Sequence, residues 1–196
     1  MSRYADCMAG SRKDVRLRLE RAALELYAER GFDRTTAADI ATRAGVTERT
    51  YFRHFPDKRE VLFDGEAALR AALADAVLEA PAGLPPLPAL QEAFASLVPM
   101  FEGDRAAKEL RHRIISSTPE LQERQQMKLA GLTAALTEAL VQRGAPPGMA
   151  ALAAACGTAV LTRARLQWLE GSQAGYSTLL TDAFTELGSL VGGGVP

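Results

Sequence analysis

Three helix starts crowd into residues 36–60, and they oblige this part of the chain to fold as short helices joined by tight turns. Thr36-x-x-Asp39 and Asp57-x-x-Glu60 both carry the capping-box pattern. In that pattern the first side chain accepts from the amide three residues on, and the acid there reaches back. Between them Thr47 stands at a third N-cap, with Val46 and Tyr51 at the two positions of a hydrophobic staple. Gly45 supplies the turn between the first two of these helices, since a residue without Cβ takes positive φ freely. Pro56 stops the helix that closes on Phe55. The spacing therefore predicts a short helix after Thr36, with Ile40 and Ala44 inward, and another after Thr47. A long helix is then expected from Asp57 through Val61, Leu62, Ala68, Leu69, Ala72, Leu73 and Ala76 to about Glu79.

Helical spacing continues on both sides. Ser11 with Asp14 reads as another capping box, followed by one apolar stripe of Val15, Leu19, Ala22, Ala23, Leu26 and Tyr27 that Gly31 terminates. After a Pro/Gly-rich break at 81–88, helices are expected near 88–101, 104–115, 119–143, 147–170 and 174–190. Pro119 and Pro147 fit first turns, and Gly144 and Gly171 fit C-terminal stops. Ala and Leu dominate, aromatics are 6% and β-branched runs are scarce, so the expected class is all-α. The expected organisation is a flexible arm at 1–10, a three-helix helix-turn-helix domain at 11–56, a larger helical domain at 57–191 and a flexible tail at 192–196.

Net charge is −1, but it is unevenly spread. Residues 1–64 hold 13 Lys and Arg against 11 Asp and Glu, whereas residues 65–196 hold 10 against 13. A phosphate-facing surface therefore belongs at the front of the chain. Cys7 and Cys156 lie far apart with no CxxC partner, and with two His no metal site or cofactor is expected. The front of the chain has no apolar run of signal-peptide or membrane-span length, which suggests a cytoplasmic protein without a membrane partner. Paired carboxylates in a convincing frame, a Ser-His-Asp elbow, HExxH and a Gly-rich phosphate loop are all lacking, so an enzyme is not expected.

Two short helices around a Gly turn form a helix-turn-helix, which places its second helix in the major groove of DNA. At about 100° per residue Tyr51 and Phe55 share the inner face, while Arg49 and Arg53 point the opposite way, with Thr50 and Phe52 on the flanks. Arg49 leads that helix and is the best base reader, since a guanidinium forks onto guanine O6 and N7. Glu48 can accept from cytosine N4 or complement the helix N-terminus. Thr36, at a helix start, suits a phosphate.

The run Thr35-Thr36-Ala37-Ala38-Asp39-Ile40-Ala41, followed by 44–58 (AGVTERTYFRHFPDK), closely resembles the signature of the TetR family of regulators. Ala28-Glu29-Arg30-Gly31-Phe32 resembles that family's first-helix ending, and the likeness runs over about residues 15–63. The resemblance implies a homodimer that binds a double-stranded operator and a small-molecule effector. It adds His54 and Lys58 as backbone contacts, so the expected DNA surface is Thr36, Thr47, Glu48, Arg49, Thr50, Phe52, Arg53, His54 and Lys58. An N-terminal arm with Arg3, Arg12 and Lys13 can trail along DNA. The second helix departs from some members in carrying Ala37 and Ala38 where they place a basic residue.

The same resemblance implies pairing of the last two long helices across a twofold axis. The small residues Ala150, Ala151, Ala153, Ala154, Ala155, Gly157 and Ala159 allow close approach there. An effector pocket is expected within 88–170, with candidate lining residues Phe94, Leu97, Val98, Phe101, Leu110, Ile114, Met127, Leu132 and Trp168. Arg111, His112 and Arg113 form a cationic cluster that could meet an anionic ligand but reads rather as a solvated face or a contact with the DNA-binding part. The functional expectation is a repressor released by an apolar or amphipathic effector, with the helix from Asp57 as lever. The alternative is a regulator or architectural factor of the same fold without a ligand. A pocket of several hundred Å3 would favour the sensor.

Overall fold

The computed structural model describes residues 2–192, with side chains from 14 to 190. Every regular element among the described residues is helical: α1 (Ser2–Arg30), α2 (Ala37–Arg43), α3 (Glu48–His54), a 3-10 turn (Glu60–Phe63), α4 (Glu66–Glu79), α5 (Pro86–Ser96), α6 (Val98–Glu102), α7 (Arg105–Ser116), α8 (Pro119–Gln142), α9 (Pro147–Leu169) and α10 (Tyr176–Gly192). The last three lie within about two residues of their expected ends.

Three expectations need correction. The backbone is already helical from Ser2, so the first helix does not start at Ser11. The side chains of Arg3, Arg12 and Lys13 lie outside the described residues, as do residues 193–196 of the tail. The helix expected over 88–101 divides at Leu97, because Pro99 has no amide to donate and its ring clashes with the carbonyl four residues earlier.

The third correction concerns the long helix from Asp57. Asp57 Oδ1 accepts from the amides of Arg59 at 2.7 Å and Glu60 at 3.2 Å, while the N-cap position of the element that follows is held by Arg59 without a side-chain cap bond. That element is a single 3-10 turn. Val61, Leu62 and Phe63 are all buried, which the one apolar stripe of a surface helix cannot achieve. The chain instead leaves the turn at Asp64 and restarts at Gly65, whose φ of 81° provides the N-cap of α4.

The chain divides into two compact units. One comprises residues up to Asp64 together with Leu110–Gln122, and the other Gly65–Glu109 together with Glu123 onwards. The first therefore extends past the expected boundary at 56 and recruits a distant segment. Its core joins Leu19, Leu26 and Tyr27 of α1 to Ile40, Tyr51, Phe55 and Leu62, with Ile114, Ile115 and Leu121 from the recruited segment. That segment is also tied by ion pairs, Arg111 to Glu20 of α1 and Arg59 to Glu120 at 3.0 Å. Burial raises the Glu20 carboxyl above its usual range despite the pull of Arg111.

In the second unit α9 packs against α5 and α10, and α4 against α5. Leu73, Val77, Leu90, Phe94, Leu136, Leu140, Ala154, Leu161, Trp168 and Tyr176 share one core. A Cβ at Gly157 would stand 2.8 Å from Leu90 Cδ1, so the glycine sets how closely α9 approaches α5. By length and composition the 23-residue α9 could cross a membrane, but its inner face is this core. Two arginines close helix ends. Arg143 donates to the carbonyls of Val77, Ala80 and Pro81 at 3.0, 2.7 and 2.7 Å. Arg105 donates to those of Trp168 and Ser172 at 2.6 and 3.2 Å.

Candidate DNA interface and effector cavity

The two short helices of the first unit are built by their caps. Thr36 and Asp39 form the complete capping box: the Thr36 amide reaches Asp39 Oδ2 at 2.9 Å, and Thr36 Oγ1 accepts from the Asp39 amide at 3.1 Å. The Thr36 hydroxyl and amide together hold the Asp39 carboxylate below its usual range. The amide and hydroxyl of Thr36 are thus engaged by Asp39 in this structure. Gly45 turns the chain with φ 69°. Thr47 then caps α3, accepting from the Thr50 amide at 3.2 Å, and the two hydroxyls lie 3.0 Å apart.

Tyr51 and Phe55 are buried, with rings 5.6 Å apart, and hold α3 against the core. On the opposite side Glu48, Arg49 and Arg53 are exposed. Arg49 and Arg53 make no hydrogen bond or ion pair among the described residues. Phe52 is 50% exposed on the flank, its ring edge-on to Tyr51 at 5.5 Å. Thr50 and His54 are half-buried, and the His54 ring lies 6.4 Å from that of Phe55. The second helix is clamped to the first by Arg43, which meets Glu29 at 2.9 Å and Glu25 at 3.2 Å. This clamp was missed because nothing in the local spacing pairs residues 14 and 18 positions apart.

Lys58 takes a different position from the one expected. Its Nζ donates to the carbonyls of Phe32 at 2.9 Å and Thr35 at 3.2 Å, and sits 4.1 Å from the centre of the Phe32 ring. Tyr27 donates to the Lys58 carbonyl at 2.5 Å and Tyr51 to that of Asp57 at 3.1 Å, so the backbone here is fixed from within. Burial keeps both phenols protonated well above their usual range. Lys58 therefore closes the loop between α1 and α2, donating to the Thr35 carbonyl and adding a second donor to that of Phe32, which also accepts from the Thr35 amide.

In the second unit a cavity of about 160 Å3 is lined by α4, α8, α9 and Phe101 of α6. Of the nine expected lining residues only Phe101 and Leu132 face it. Phe94 and Trp168 are buried in the core, Leu97 and Val98 pack half-buried against it, and Met127 is 65% exposed. Leu110 and Ile114 belong to the other unit. The residues missed are Glu66, Ala67, Leu69, Arg70, Leu73, Gln125, Lys128, Leu129, Leu161, Thr162 and Arg165. Six of these eleven are polar, and a search for apolar positions passes over such residues. The volume also falls short of several hundred Å3.

With this geometry in place, two family models match the chain. One, described as bacterial regulatory proteins of the tetR family, covers residues 20–64, and one described as the MftR C-terminal domain covers 84–191. The chain belongs to the TetR family. It is a DNA-binding transcriptional regulator of the helix-turn-helix type, and the first match ends at the same Asp64 that closes the leading segment of the first unit. Among curated relatives, the uncharacterized HTH-type transcriptional regulator MT2310 of Mycobacterium tuberculosis is 32% identical over 135 residues, 67% of this chain and 70% of that protein. Among solved structures, the complex of SmeT with triclosan superposes with a TM-score of 0.61 at 20% identity, covering 93% of this chain and 95% of that one. FadR of Thermus thermophilus, a TetR-family repressor in complex with lauroyl-CoA, gives 0.55 at 24% identity, covering 92% and 96%. At these identities the two structures establish a shared fold.

Proposed function

We propose that this TetR-family regulator is a homodimeric repressor that reads its operator with α3 and leaves it when a small molecule occupies the second unit. The observation that carries the reading is the exposed Arg49–Arg53 side of a helix whose other face is buried and whose start is capped. A rigid helix with two uncommitted guanidinium groups is suited to the major groove. Glu48, Thr50 and Phe52 would border the bases. Thr36, Thr47 and His54 would approach the phosphates, and Lys58 would act from within the domain.

Dimerisation is supported by the outer surface of α9, where Met149 and Leu152 are 56% and 68% exposed beside Ala151, Ala155 and Ala159. Apolar surface with small neighbours is what a twofold helix pair buries. Such a dimer holds its two readers at one separation, and matching groove faces recur every ~34–36 Å. SmeT and FadR were captured with ligands, which supports an effector here. By linkage the effector must bind DNA-free protein more tightly, by ~1–3 kcal/mol in typical cases.

The decisive test compares Arg49→Ala with the parent protein on the footprinted operator and on random DNA, by fluorescence anisotropy. The expected result is loss of ~1–3 kcal/mol per half-site on the operator alone. An equal loss on both DNAs would remove Arg49 as base reader.

A further inference from the structure

The cavity of the second unit has a charge pattern opposed to its surroundings. Its walls are apolar, formed by Leu69, Leu73, Leu129, Leu132 and Leu161 with Phe101. Its polar lining brings together Arg70, Lys128 and Arg165 against the single carboxylate of Glu66. Residues 65–196 as a whole carry 10 cations against 13 anions, so this concentration runs against the background. Arg70 lies against α8 because Gly131 has no side chain. A Cβ there would stand 3.1 Å from Arg70 Nη1. Lys128 and Arg165 are half-buried, where attraction for an anion is screened less than at the open surface.

We propose that this cavity binds a small amphiphile with an anionic head. The head, a carboxylate or phosphate, sits among Arg70, Lys128 and Arg165, with Thr162 and Gln125 as further hydrogen-bond partners. The apolar body lies on the leucines. It is small, because an apolar cavity of about 150 Å3 accommodates a benzene-sized group. A cation of the same shape meets like charge, and a neutral analogue has only burial to hold it. This proposal rests on the reading of the second unit as the effector domain, and it adds the chemical class.

The test titrates the DNA-free full chain, by calorimetry, with phenylacetate, 2-phenylethanol and 2-phenylethylammonium, which share one body under three head charges. Phenylacetate is expected to bind at least about tenfold more tightly than the alcohol, with no binding of the ammonium. Lys128→Gln and Arg165→Gln should each weaken phenylacetate severalfold and leave the alcohol unchanged, while Leu132→Trp, which fills the cavity, should abolish both. Circular dichroism checks that each variant is folded, and the two glutamine variants decide the matter if the tryptophan does not fold. Equal binding of the three compounds, absence of phenylacetate binding, or glutamine variants that affect acid and alcohol alike would overturn the proposal. Laurate tests size: binding as tight as phenylacetate's, lost in Leu132→Trp, would overturn the small-body part. Operator release, measured separately, tells the two readings apart. Charge-selective binding without release leaves the cavity assignment and removes the sensor, whereas release by neutral or cationic compounds alone keeps the sensor and removes the anion site.

Discussion

Replacing Lys58 by Ala separates a structural role from a DNA contact, because the two predict opposite observables. In the structure the ammonium holds two carbonyls, of Phe32 and Thr35, and covers the Phe32 ring. A hydrogen bond involving a charged group contributes about 1.5–3 kcal/mol when buried, and a cation over a ring about 0.5–1 kcal/mol at an exposed site. Lys58 is half-buried, so water recovers part of what the freed carbonyls lose. The expected net cost is thus about 2–3 kcal/mol rather than the sum of the upper values. For a chain of this size that lowers the melting transition by roughly 4–12 °C. Urea titration followed by circular dichroism measures the loss. Anisotropy on operator DNA at several salt concentrations, well below the transition, measures binding. The expected outcome is a clear loss of stability with the salt slope unchanged. A variant as stable as the parent whose slope falls by about 0.9 per half-site, the value for one lost phosphate contact per subunit, would refute the structural role and restore the direct contact.

Two further outcomes follow from the same structure. Leu152→Asp puts a charge on the exposed apolar side of α9, and sedimentation velocity should then show monomer where the parent sediments as dimer; an unchanged dimer would move the interface elsewhere. Asp57→Ala removes the acceptor of the Arg59 and Glu60 amides ahead of the 3-10 turn and should cost about 1 kcal/mol at neutral pH. Burial acts to raise the Asp57 carboxyl, but Arg59 and the amides of Arg59 and Glu60 outweigh it and hold the carboxyl below its unfolded value. Its contribution is therefore present above about pH 4, the usual aspartate range, and is lost as pH falls through the folded value. The parent minus variant stability should shrink toward acid pH in urea titrations, and a constant difference would assign the effect to something other than the ionised carboxylate.

What the sequence determines by itself here is what depends on neighbours a few residues apart. The Thr36–Asp39 box, the Thr47 cap, the Gly45 turn and the Gly31, Gly144 and Gly171 stops are all local, and all stand in the structure. Helical periodicity likewise placed Tyr51 and Phe55 inward and Arg49 and Arg53 outward, because a helix converts spacing directly into direction. The same logic misled at Asp57. Its carboxylate does accept from the amides of Arg59 and Glu60, but the burial of Val61, Leu62 and Phe63 decides that the chain turns once and restarts at Gly65.

Only the tertiary structure decided the rest. Leu110–Gln122 joins the first unit through Ile114, Ile115, Leu121 and the Arg111–Glu20 pair, contacts separated by as many as 91 residues. Lys58 became an internal donor because the loop carbonyls of Phe32 and Thr35, 26 and 23 residues away, lie within its reach. The cavity was the least legible feature of all. Arg70, Lys128 and Arg165 sit on three different helices, and each by itself reads as a solvated charge. Their convergence on apolar walls depends on how α4, α8 and α9 pack, which no local spacing encodes.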